Sequence, residues 1–249
     1  MASLALPTRP LPTKRDEAYR YADLAALAPL WPLAVQEIRV AAGASDALAI
    51  TARSDRAEAR ELLITLEDGA SFDLRVLNAG SAYGRIAVTA VLGKGASFHF
   101  GAAQMGAGTQ TLEIVTEVRH LQPDAVSRQV VRSVLGGQAT GTYLGKVHVA
   151  RGAIGTDGEQ SIRAMLLDRT ATANARPELE IYADDVKCAH GCAVGELDPQ
   201  GLFYLQSRGL PPAEAKKLML HAFIAEAFVG APEAEALTEA ALAGLENLL

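Results

Sequence analysis

Between Val35 and Val194 apolar and polar positions alternate in short runs. Examples are IRVAAG, ALAITAR, ASFDLRVL, RIAVTAVL, ASFHFGA, TLEIVTEVRHL, VVRSVLGG, GKVHVARG and LEIYADDV, parted by Gly, Asn and Asp. Alternation with period two is the mark of a strand with one face turned inward, and the spacers are turn formers. The intervals leave no room for the crossover helices of a conventional parallel α/β sheet, so a sandwich, a barrel or a β-solenoid remains. Glu113, Glu117 and Arg119 against Leu112, Ile114 and Val118 fit a wall with one face in and one face out.

Internal similarity favours the solenoid. Gly69-Ala-Ser-Phe-Asp-Leu74 recurs as Gly95-Ala-Ser-Phe-His-Phe100, and at the same offset Ile86-Ala-Val88 maps onto Leu112-Glu-Ile114. Leu112-Glu-Ile114, Gly145-Lys-Val147 and Leu179-Glu-Ile181 follow at a wider interval. Stacked coils of short strands, each burying its apolar face on its neighbours, give such a drifting period.

Outside this region the pattern turns helical. Residues 1–12 carry three prolines and read as an extended lead-in. Thr13 with Asp16 predicts a capped helix over Lys14 to Ala28, stopped by Pro29 and Pro32, with Tyr21, Leu24 and Leu27 as its docking face. After Val194, Asp198-Pro199 opens a helix that Gly209 ends; Pro211-Pro212 opens a second through Phe228, and Pro232 a third to Leu249. The expected organisation is therefore a lead-in and helix (1–34), a β core (35–195) and a helical subdomain (196–249). Three helices of this size have little body of their own, so the apolar surface of the second, including Leu218, Ala222, Phe223 and Phe228, is a candidate partner-binding surface.

Composition narrows the functional classes. A net charge of -6 and a pI near 5.4 argue against general nucleic-acid binding. Two cysteines provide no disulfide framework and make a reducing compartment the default. With no apolar run long enough to span a bilayer and no secretory leader pattern, the reading is a soluble cytoplasmic chain. The glycine-rich phosphate loop, the G-x-S-x-G elbow and H-E-x-x-H are missing, so no nucleotide is expected to bind and any ATP energy comes from elsewhere.

Candidate chemistry is concentrated in PELEIYADDVKCAHGCAVGELDPQGLFYLQSRG, Pro177 to Gly209. A strand from Leu179 to Val186 runs into Lys187-Cys188-Ala189-His190-Gly191-Cys192. In an extended chain Cys188, His190 and Cys192 share one face, a soft-metal arrangement in outline, unless Gly191 introduces a bulge. Two readings stay open on residue types alone: small buried hydrophobes with a hydrogen-bonded histidine, or metal and sulfur handling. Asp184-Asp185 reads as a turn, since adjacent strand residues face opposite ways. His99, His120 and His148 stand singly in strands and read as structural.

The run LEIYADDVKCAHGCAVGELD, followed by LFYLQSRG and an alanine-rich helix ending in HAF, resembles the core signature of the SufB/SufD family of iron-sulfur cluster assembly proteins, on its SufD side. RDEAYRYADL near the N-terminus is similar to the family's EEWRYTDL, with Tyr19 in place of the usual tryptophan. Leu205 stands where SufB-type sequences carry a cysteine, and Cys192 departs from most SufD sequences. The resemblance implies a right-handed parallel β-helix, flanked by a short N-terminal helix and a C-terminal helical subdomain. It also implies an accessory scaffold, not an enzyme, that handles a transient iron-sulfur cluster at an interface shared with a SufB-like subunit. Cys188 and His190 would sit at that site, with Cys192 the least defined member. A SufC-like ABC ATPase would be the further partner, and a homodimer is expected for the chain alone. Ligand counting agrees, because two thiols and one imidazole cannot complete a cluster's usual four positions. The rivals are a β-solenoid enzyme, a carbohydrate lyase or an acyltransferase with His190 as base, and a structural homodimer with Cys188 and His190 in its core. The first is poorly served by an aromatic content of 5%.

Overall fold

The computed structural model describes residues 9–52, 56–79, 82–246 and 248. Residues 1–8 of the lead-in, Arg53 of the second predicted run and positions 247 and 249 at the end of the last predicted helix lie outside them.

The alternating runs become the strands of two parallel sheets, and successive strands go to opposite sheets. One sheet holds β1 (Val35–Val40), β3 (Glu58–Leu66), β5 (Tyr83–Leu92), β7 (Thr111–His120), β9 (Thr140–Val149) and β11 (Thr172–Ile181), in that order. The other holds β2 (Ser45–Ala52), β4 (Ser71–Ala79), β6 (Ser97–Gly106), β8 (Val126–Leu135), β10 (Asp157–Leu166) and β12 (Lys187–Gly195). Parallel neighbours joined through a strand of the opposite sheet make a parallel β-solenoid, as the sequence pattern predicts. Between the sheets, Ile50, Ile64, Phe72, Val88, Phe98 and Phe100 form one buried cluster. Each such fully buried side chain stabilises the fold by roughly 2 kcal/mol.

The repeat is partly where the sequence places it. Ser71 pairs with Ser97 and Leu74 with Phe100, as the first similarity requires. Ile86, however, pairs with Ile114 and not with Leu112. Gly145 pairs with Thr116 and with Pro177, and Leu179 with Val147, so the wider matches are also displaced. Every displacement is an even number of residues. Such a slip keeps inward positions inward, and alternation cannot detect it.

The two flanking segments cover the outer faces. At the N-terminus the single helix expected over Lys14 to Ala28 is replaced by a 3-10 turn (Glu17–Tyr19), α1 (Leu24–Leu27) and a second 3-10 turn (Ala28–Leu30). Backbone groups that a helix would have used are bonded to the sheet instead. Ala18 O accepts from the Arg85 guanidinium at 2.9 Å, and Asp23 N–H donates to the Glu113 carboxylate at 3.1 Å. Arg85 and Glu113 are cross-strand neighbours on β5 and β7, ion-paired and almost wholly buried. Tyr19 lies under the Arg85 guanidinium, 4.3 Å from ring centroid to Cζ. The docking face is thus Tyr19, Ala22 and Leu27, while Tyr21 is exposed. Thr13 and Asp16 do bond to each other, with Thr13 N–H donating to the Asp16 carboxylate at 2.7 Å.

At the C-terminus α2 (Pro199–Ser207) is capped by Asp198, which accepts from the N–H groups of Gln200 and Gly201, and Gly209 follows its end at φ +95°. Then come α3 (Pro212–Ala225), a 3-10 turn (Glu226–Phe228) and α4 (Ala234–Leu245). The body these helices need is the solenoid itself. Leu220, Ile224, Ala227, Phe228, Leu237, Ala241 and Leu245 pack on Leu77, Ala79, Ala103, Met105 and Val134 from the outer face of β4, β6 and β8. Phe228, expected on a partner-binding surface, is a core residue with no exposed area. Phe223 is half-buried, Ala222 is exposed, and Leu218 retains 47% of its surface.

Two arginines fasten this layer. Arg132 of β8, fully buried, holds the Glu226 carboxylate with two nitrogens at 2.7 and 2.8 Å and also donates to the Val131 and Ser161 carbonyls. Arg75 of β4 pairs with Asp73 and donates to Ala227 O at 2.8 Å. Gly101 of β6 lies directly beneath, and a Cβ there would overlap both Ala227 O and the Arg75 guanidinium. Gly101→Ala is therefore expected to lower stability by about 1–3 kcal/mol, the cost of overpacking a filled site. Urea unfolding at matched temperature checks this, and a midpoint equal to that of the parent chain would contradict it.

Candidate functional site

The strand that carries the two cysteines is not the one the sequence suggests. The predicted strand from Leu179 ends at Ile181, because Asp184 and Asp185 turn the chain and Gly155 N–H donates to Asp185 O at 2.7 Å. Lys187 to Gly195 then form β12 on the opposite sheet, paired one-to-one with Asp157 to Met165 of β10. Gly191 sits opposite Ser161 within this unbroken register, so there is no bulge and the i, i+2, i+4 row is intact.

The row faces the inside of the solenoid. Cys188, His190 and Cys192 pair with Gly158, Gln160 and Ile162, all buried between the sheets. Being on the last coil, they have no further coil above them: Cys188 is half-buried, His190 and Cys192 are exposed, and both cysteines are free. Neither Cys188 nor His190 is a core residue. Cys188 packs against a small buried cluster of Val147, Val149, Ala153 and Ala183. Among the described residues no three His, Cys, Asp or Glu side chains gather closely enough to hold a metal ion.

The interior beneath this row changes character along the axis. In the row through His190, the inward residues run Leu48, Leu74, Phe100, Gln129, Gln160 and then His190; in the row through Cys188 they run Phe72, Phe98, Ser127, Gly158 and then Cys188. Along these two rows apolar side chains give way to hydrogen-bonding groups, whereas the row through Cys192 stays apolar from Ile50 through Val76, Ala102, Val131 and Ile162. Thr116 and Tyr143 from the opposite sheet join Gln129 and Gln160, and His120 bonds Ser127 at 2.9 Å. Burial holds His120 neutral, its pKa lowered to about 4. This polar interior went unread in the sequence. Its signal was present as Gln129, Tyr143 and Gln160 at inward positions of otherwise apolar strands.

Electrostatics in the isolated chain do not activate the thiols. Burial raises the pKa of Cys188, partly opposed by a hydrogen bond from the backbone of Gly158, and burial raises that of Cys192. A metal ion or a cationic neighbour would have to stabilise the thiolate.

Fold and row together define a class, a parallel β-solenoid with two thiols and an imidazole in one row on its last coil. Residues 28–223 match the family profile described as SUF system FeS cluster assembly, SufBD core domain, and the chain belongs to this SufB/SufD family. It is 31% identical over 164 residues to the iron-sulfur cluster assembly protein SufD of Escherichia coli, covering 66% of this chain and 39% of that protein. It is 33% identical over 121 residues to SufD of Bacillus subtilis, covering 49% and 28% respectively. With the chloroplastic protein ABCI7 of Arabidopsis thaliana it shares 36% identity over 129 residues, 51% of this chain and 27% of the other. In each case the match spans well under half of the relative's own length.

Both thiols are expected to be alkylated by iodoacetamide at pH 7.5 more slowly than an unhindered model thiol, with rates still rising above pH 9 as the thiolate fraction grows. Mass-spectrometric rates at Cys188 and Cys192 measure this. A plateau below pH 8 at either residue would contradict the raised pKa.

Proposed function

We propose that this chain is a SufD-like accessory scaffold subunit for iron-sulfur cluster assembly, with the cluster as transient cargo at a site shared with a SufB-like subunit. The observation that carries this is the open last coil. It presents Cys188, His190 and Cys192 in one row beside the free edges of β11 and β12. Unpaired edges of this kind recruit another strand, and a SufB-like partner adding its own last coil would bring further ligands over the row. The same edge would pair two copies of this chain when it is alone. Cys188 supplies a thiolate once a cation lies beside it. His190 supplies a nitrogen ligand or a proton acceptor. Cys192 is an additional thiol in the same row. Leu205, half-buried on α2, brings no ligand at the position where SufB-type sequences have a cysteine.

The helical layer offers a separate surface. Leu218 and Ala222 lie one turn apart on the exposed side of α3, next to the half-buried Phe223. In this reading they contact a SufC-like ATPase, which supplies the nucleotide hydrolysis that this chain has no phosphate loop to perform. A reducing compartment such as the cytoplasm suits two free thiols. Among the described residues no helix is long and apolar enough to cross a membrane.

Two experiments test the reading. In a complex assembled anaerobically with SufB-like and SufC-like subunits, His190→Ala is expected to lower cluster yield about tenfold or more, the scale on which losing a group around a metal acts, with the melting temperature unchanged. Full yield by absorption spectroscopy would remove the role. Deleting the C-terminal helices would strip the outer face of β4, β6 and β8, so the ATPase contact is better tested by Leu218→Asp with Ala222→Asp. Loss of co-purified ATPase from a folded chain is expected. Retained capture would move the contact elsewhere.

A further inference from the structure

Beneath the open row lies a buried amide that is held by one end only. Gln160 on β10 is 1% exposed, and its Nε2 donates to the Tyr143 hydroxyl at 3.1 Å. That hydroxyl is 3.0 Å from Thr116 Oγ1 and donates to Gln129 Oε1 at 3.3 Å, while Thr116 donates to the same Gln129 oxygen at 2.8 Å. With Gln129 Oε1 as their shared acceptor, Tyr143 spends its proton there and its oxygen must accept. Gln160 is thereby obliged to present its NH2 to Tyr143. Its carbonyl oxygen Oε1 is left buried with no partner, as is Nε2 of Gln129 at the far side of the network. A buried acceptor left unpaired is costly, so a nearby donor gains by turning toward it.

The next side chain in the same inward row is His190, register partner of Gln160 on the adjoining strand, about 4.8 Å away along the sheet. We propose that Gln160 is a positioning residue for His190. In the assembled site its Oε1 accepts the imidazole N–H, which fixes the tautomer and turns the other ring nitrogen, with its lone pair, toward the partner's edge. This rests on the reading of His190 as a site residue. An outer group that orients a histidine through its second nitrogen is a general device of metal and proton-transfer sites. Here the amide would be set in advance by Tyr143, Thr116 and Gln129.

The test reads the tautomer directly. This chain, labelled with 15N-histidine, is assembled with a SufB-like subunit, and the ring nitrogens of His190 are observed at pH 8, with assignment by their loss in His190→Ala. One pyrrole-type and one pyridine-type shift are expected in the parent complex. Averaged shifts, from mixed tautomers, are expected in Gln160→Met, which keeps the bulk of the side chain and removes the acceptor. Tyr143→Phe, which frees the Gln160 amide to flip, should average the shifts as well and serves should the Met variant not fold. Cluster yield should fall about tenfold in these variants. Averaged shifts in the parent complex, or a single tautomer that survives both substitutions, would overturn the proposal. The yield of His190→Ala tests the preceding reading separately, because the tautomer is measured without reference to cluster formation.

Discussion

Every coil of this solenoid depends on its neighbours for its backbone hydrogen bonds. Parallel strands on adjacent coils exchange N–H and C=O groups along each sheet, in register from β1 to β11 and from β2 to β12. A coil therefore cannot be stable by itself, and the two ends of the stack carry unpaired edges by construction. At the early end the inward side chains are large and apolar. In the rows that end at Cys188 and His190 the late positions are serine, glycine and glutamine, whereas the row that ends at Cys192 remains apolar through Val131 and Ile162. The row of two thiols and an imidazole lies on the coil whose backbone edges are unpaired.

The covering segments follow from the same constraint. A two-sheet solenoid exposes two broad outer faces, and both are clad through buried arginines. Arg85 with Glu113 captures backbone groups of the N-terminal segment, and Arg75 with Arg132 captures the turn between α3 and α4. Burying such charges is costly unless each is paired and its remaining hydrogens are used. Arg132 meets that condition through a carboxylate and two carbonyls. Its charge thus fixes the location of the helical layer, while the apolar contacts beneath supply most of its attachment.

Much of this architecture was legible in the sequence because period two and turn residues report strands almost without reference to tertiary context. The strands, the caps at Asp198 and Gly209, and the shared face of Cys188, His190 and Cys192 follow from local rules, while the choice of a parallel solenoid over a sandwich or a barrel rests on the internal similarity and the family resemblance. What escaped was long-range. Ile86 was matched to Leu112 instead of Ile114 because a slip of two leaves every side chain on the correct face. The strand predicted from Leu179 to Val186 overruns its end at Ile181 because Ala183 keeps the alternation going into the turn. The N-terminal helix was overestimated because nothing local announces that Ala18 and Asp23 give their backbone groups to a distant ion pair. Phe228 was assigned outward because the helices were weighed without the second apolar face of β4, β6 and β8, although Val76-Leu77 and Ala102-Ala103 are consecutive apolar pairs of the kind that mark strands buried on both sides.

The Arg132 contacts have a mechanical corollary. One guanidinium is bonded at once to Glu226, between α3 and α4, and to both the carbonyl and the hydroxyl of Ser161 on β10, the strand that pairs with β12 and its cysteines. Rotating the helices away from the wall would strip the Glu226 carboxylate from a fully buried cation that stays bonded to Val131 and Ser161 of the wall, so helices and late coils are joined at this point. A displacement of the C-terminal helices is therefore felt one strand away from the cysteines, as well as on β4 and β6.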